Sequence, residues 1–99
     1  MQLKELILAV KEKNLSKDDL ENYRDQMSQL FAEMQLETAE LEKNEAIFME
    51  MKEDTKSVAQ RKIEWKATPD GQRLIVLKRY CLATKELLNS LRSRLYSVY

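Results

Sequence analysis

The chain has 99 residues, enough for one small domain, with no histidine, one cysteine, one glycine and one proline. Its formal net charge is zero, yet residues 1–54 carry 7 basic and 14 acidic side chains, and residues 55–99 carry 10 and 3. These features exclude imidazole catalysis, a His- or thiolate-ligated metal cluster, an intrachain disulfide and a glycine-rich phosphate loop.

Charged residues make up 34% of the chain, and with so few turn-forming residues the composition is that of long amphipathic helices. The expected fold class is all-α, a short N-terminal helix plus a long antiparallel coiled-coil helical hairpin, in a single helical domain over 1–99. The charge split has a plain reading, in which the two halves fold against each other and pair. It also has a sharper one, in which the basic half touches nucleic acid or an acidic protein.

Leu3, Leu6, Ile7 and Val10 fall at helical spacing and predict a first helix over about residues 2–13. Asn14 suits a helix stop, and Ser16 with Asp19 three residues on forms a shortened capping box for the next helix. No helix breaker follows between Lys17 and Ala67, which predicts one helix of about 76 Å over 17–67. Its seam runs through Leu20, Tyr23, Met27, Leu30, Met34, Leu41, Phe48, Met51, Val58 and Trp65. Glu37, Asn44, Thr55 and Lys62 fall on the same seven-residue register.

Thr68-Pro69-Asp70-Gly71 ends that helix. Thr68 can cap the next one with Pro69 at its first position, and a chain reversal is the preferred reading. The last helix is expected over about 69–97. Leu74, Leu77, Cys81, Thr84, Leu88, Leu91, Leu95 and Val98 form its seam, and Val76, Tyr80, Ala83 and Leu87 widen the stripe. Cys81 reads as a buried structural thiol.

Folding this chain at Pro69 brings the last helix back over the long one to about residue 39, with Lys85 and Arg92 near Glu45, Glu50 and Glu53. The first helix covers the other end. Leu30, Phe31, Met34 and Leu36 are then left without an intramolecular lid, beside Glu33, Glu37 and Glu40. Four contiguous exposed apolar side chains mark an interface, so these seven residues are the candidate protein-binding site. A dimer, a higher oligomer or a complex with a larger partner is expected.

No cofactor, no metal site and no catalytic constellation is expected; the acidic residues read as a solvated helix face. No apolar run spans a bilayer, and MQLKELILAV is not patterned as a signal peptide, so a cytoplasmic protein is the simplest expectation. Nucleic-acid contact has one candidate surface, the basic flank Lys78, Lys85, Arg92 and Arg94 with nearby Trp65, Tyr80, Tyr96 and Tyr99. Trp65 and Tyr80 lie on apolar stripes and read first as core. Residues 25–54, with 9 acidic against 2 basic side chains, could instead imitate DNA.

Three segments carry a further resemblance: Arg61 to Thr68, then Asp70-Gly71-Gln72 with Leu77-Lys78, then the closing Leu87 to Leu95. Over about two-fifths of the chain, residues 61–95, they resemble a class of small helical proteins encoded by tailed bacteriophages. Genes of that class tend to lie among early, recombination or replication functions. The resemblance implies an adaptor for a phage or host nucleic-acid-processing protein, or an inhibitor of a host nuclease or defence complex. It transfers no catalytic residue. A DNA-binding accessory protein and a purely structural helical bundle are the alternatives.

Overall fold

Four helices account for nearly all of the described chain: α1 (Leu3–Val10), α2 (Lys17–Glu50), α3 (Val58–Ala67) and α4 (Pro69–Val98). The computed structural model describes residues 3–12, 15–51 and 57–98, with Val98 described by its main chain alone. Among these residues there is no strand, and the fold is all-α, with long α4 packed along long α2. The expected roles of Asn14, Glu53, Thr55 and Tyr99 and of the Val98 side chain lie outside the described residues. The chain gathers into two compact units, a terminal one (Met1–Glu33 with Cys81–Tyr99) and a central one (Met34–Tyr80).

In the terminal unit, the apolar face of α1 meets the first half of α2 and the last part of α4. Leu6, Val10, Leu20, Met27, Leu88 and Leu91 are buried together, with Leu15, Tyr23, Leu30, Phe31, Leu87 and Leu95 packed around them. The α2 start is built as its sequence predicts: the Asp19 amide donates to Ser16 Oγ at 3.1 Å, and the Ser16 amide faces Asp19 Oδ2 at 3.4 Å. Leu95 and Tyr96, near the end of α4, share a cleft with Lys17, Glu21 and Arg24 at the start of α2, so the two helices run antiparallel here. Arg94 donates to the carbonyls of Val10 at 2.7 Å and Glu12 at 3.1 Å. It thereby satisfies orphan acceptors at and just beyond the end of α1.

The central unit has a smaller core of Leu41, Trp65, Leu74 and Leu77, flanked by Met34 and Phe48. The Phe48 and Trp65 rings lie 5.6 Å apart at 51°, a tilted aromatic pair. Between α3 and α4, Thr68 is extended (φ −74°, ψ 156°). Its hydroxyl donates to the Trp65 carbonyl at 2.6 Å and accepts the Gly71 amide at 3.0 Å, which makes it the expected cap with Pro69 first in α4. Lys62 and Lys78 line one cleft although six and ten residues separate them from Thr68, so α4 returns along α3.

One expectation is overturned. The helix predicted over 17–67 is two helices, α2 ending at Glu50 and α3 beginning at Val58. The cause is local: Ser57 is extended (φ −69°, ψ 161°), its Oγ accepts the Gln60 amide at 3.2 Å, and its own amide donates to Gln60 Oε1 at 3.2 Å. That reciprocal capping box starts a new helix. At the other side of the break Met51 tightens the last turn by donating to the Phe48 carbonyl. Arg61 Nη1 also reaches back to the Met49 carbonyl at 2.9 Å. The seam therefore stops at Phe48 and resumes at Trp65, leaving Met51 and Val58 exposed.

The α4 seam is buried or half-buried from Leu74 to Leu95, as its spacing predicts, with Cys81 half-buried. The expected broad second stripe is not packed: Val76, Tyr80 and Ala83 are exposed, and only Leu87 is half-buried.

Candidate functional site

The predicted interface rests on a length mismatch that the α2–α3 break removes. With α2 at 34 residues and α4 at 30, the two helices are nearly matched in length. Leu30 and Phe31 pack against the terminal core, and Met34 packs against the central core. Of the four apolar residues proposed as uncovered, only Leu36 is exposed, at 71%. Leu30 edges onto a shallow recess of about 190 Å³ with Gln26, Gln29 and Glu33. Glu33 and Glu40 are exposed, whereas Glu37 is half-buried and committed to Arg73.

The charge split is partly used for pairing within the central unit. Arg73 holds Glu37 through two parallel bonds of 3.1 Å, and Lys78 lies 3.6 Å from Glu42. The hydrogen bond to Glu37, reinforced by its charge, raises the already high pKa of Arg73. Lys85 and Arg92, expected near Glu45 and Glu50, belong to the terminal unit, and Glu45 and Glu50 to the central one. Of the four basic residues proposed to contact nucleic acid, Lys78 is paired and Arg94 is anchored to the end of α1. Lys85 and Arg92 stay exposed. Trp65 is buried as expected, whereas Tyr80 and Tyr96 are exposed.

Exposed apolar side chains concentrate in the central unit. Among the described residues ten large hydrophobic side chains are exposed, and seven of them are in the central unit: Leu36, Ile47, Met51, Val58, Ile63, Val76 and Tyr80. Leu36 and Ile47 are eleven residues apart on α2, about three turns, so they lie on nearly the same meridian with Glu40 between them. This outward stripe was partly legible, because Leu36 and Glu40 were singled out by sequence. Ile47 and Ile63 were missed, since neither falls on a seam register and single apolar residues off the seam carry no signal.

The central unit also holds a cleft of about 260 Å³. Trp65, Leu74, Ile75 and Gly71 form its floor, and Lys62, Lys66, Lys78 and Glu45 its rim. In the terminal unit, a more open cleft of about 330 Å³ is formed by Lys17, Glu21, Arg24, Leu95 and Tyr96. Among the described residues no group of three or more His, Cys, Asp or Glu is placed to hold a metal ion, and no helix is long and apolar enough to cross a membrane. No protein-family model, curated protein or solved structure matches this chain.

Proposed function

We propose that the chain is a non-enzymatic protein-binding module that works through its central unit. As the phage resemblance implies, it acts as an adaptor or inhibitor on a host or phage nucleic-acid-processing protein. The observation that carries this reading is the concentration of exposed apolar side chains in the unit with the smaller core. Burial of such side chains against a partner is favourable by about 1.5–3 kcal/mol each. On α2 the anchors Leu36 and Ile47 flank acidic Glu40, the arrangement of a helix that lays an apolar stripe into a groove with basic walls. Acidic character on that face also suits imitation of a DNA strand. Leu30, Phe31 and Met34, on which self-association was expected, are half-buried against the two cores and are not used in this reading.

A photo-crosslinking side chain at position 36 or 47, compared with one at exposed Leu82 in the terminal unit, tests the reading in cells. The expected outcome is a discrete crosslinked protein at 36 and 47, weakened by Glu40→Lys and absent at 82. Equal crosslinking at all three positions, or none, would overturn it.

A further inference from the structure

We infer that the lysine-rimmed cleft of the central unit is a second binding site, and that its occupant is an acidic segment of the partner protein bearing an aliphatic anchor. The inference rests on the protein-binding reading above but uses a different surface. The floor is apolar and built from fixed elements: Trp65 and Leu74 are buried, and Ile75 is half-buried beside them. Gly71 lets this floor form, since a Cβ there would lie 1.9 Å from the Trp65 carbonyl oxygen. Lys62 and Lys66 stand one turn apart on α3, and Lys78 completes the rim from α4, against the single carboxylate of Glu45.

The donor set defines the ligand. Lys62 and Lys66 offer donors only, Lys78 is shared with Glu42, and Glu45 is the one carboxylate of the lining, so the complementary molecule carries anionic acceptors. Like charges at Lys62 and Lys66, four residues apart on a helix, repel each other, and a carboxylate between them relieves that repulsion. Among the described residues neither of these two lysines forms an ion pair, so both are available. The apolar floor asks for an aliphatic body as well, which a simple inorganic anion lacks. Single-stranded nucleic acid fits less well, because base stacking needs an open aromatic face and Trp65 is only 6% exposed and tilted against Phe48. Glutamate or aspartate flanking a leucine supplies both requirements.

Trp65 is the only tryptophan, so its emission reports the floor directly. The full-length protein is titrated with a synthetic helical peptide of Leu and Glu, with the same peptide carrying Lys for Glu, and with oligothymidine. The expected result is a saturable change in Trp65 emission with the acidic peptide alone. Lys62→Gln/Lys66→Gln should weaken it at least about tenfold, the effect of losing roughly 1.4 kcal/mol of binding. Both positions are exposed, so the variant keeps its fold, and an unchanged circular dichroism spectrum checks this. Ile75→Glu, which places a charge on the floor, should abolish the change. An unaltered affinity in the lysine variant, or a stronger response to oligothymidine, overturns the assignment. A change driven by protein concentration alone gives the cleft to a second copy and also overturns it. Persisting crosslinks at positions 36 and 47 in any of those cases would leave the protein-binding reading standing.

Discussion

Thr84 is fully buried in α4, and among the described residues its hydroxyl has no hydrogen-bond partner. Leaving a buried hydroxyl unpaired costs about 1–3 kcal/mol, whereas a methyl group of the same shape costs nothing there. Thr84→Val is therefore expected to stabilise the protein by about 1 kcal/mol, read as a higher urea midpoint with an unchanged slope. A lower midpoint would mean that the hydroxyl is bonded in solution. Gly71 makes the opposite case. It was legible in the sequence only as the last residue of the Thr68-Pro69-Asp70-Gly71 segment expected to reverse the chain, and its backbone does not occupy the left-handed region. What requires glycine is proximity, since the obstacle to a side chain is the Trp65 carbonyl, main-chain atoms that cannot rotate away. Gly71→Ala should cost about 3 kcal/mol, with a shift in Trp65 emission as α3 and α4 separate. A neutral substitution would show that the two helices tolerate a wider approach. The sequence could mark Gly71 as special but not say why, because the clash is with a residue in another helix.

At the scale of elements, the helices were legible where pattern and cap agreed. Ser16 with Asp19, Thr68 with Pro69, and the leucine spacing of α4 each predicted what is found. The α2–α3 break was missed although its signal was present, Ser57 followed three residues later by Gln60. It was outweighed by Met51 and Val58, which continue a heptad that the folded chain does not use. One unseen break then removed the single helix over 17–67 on which the uncovered stretch was inferred, whereas the cover that α1 gives to the start of α2 is found. Ser57→Ala removes the cap and should cost about 1 kcal/mol, with faster amide exchange confined to α3. Uniform acceleration across the molecule would argue against a local role. Arg94 tests the other end of the chain. Its two bonds to the Val10 and Glu12 carbonyls join α4 to the end of α1. Arg94→Met keeps much of the aliphatic stem and removes the donors, so exchange protection in α1 should fall while α3 is unaffected. Nothing in the sequence distinguished Arg94 from its exposed neighbour Arg92; only the position of α1 does.

At the scale of the whole molecule, the two cores are small and share their longest elements, since α2 and α4 each run through both units. Neither unit has the size at which a chain segment readily folds alone, and each depends on helices whose remaining turns belong to the other. Helix formation is itself cooperative, so losing packing along one part of α4 weakens the rest of it. Leu91 is fully buried in the terminal core, and Trp65 lies in the central one. Leu91→Ala should cost about 2–5 kcal/mol, a large share of the roughly 5–15 kcal/mol typical of a domain. That loss should lower the unfolding midpoint read by Trp65 emission as much as the midpoint read by far-ultraviolet circular dichroism. Coincident transitions in both the parent and the variant are the expected result. If Trp65 keeps its original midpoint while helicity is lost in two steps, the units unfold independently. The central unit would then be a separately stable binding module carried on a dispensable terminal one.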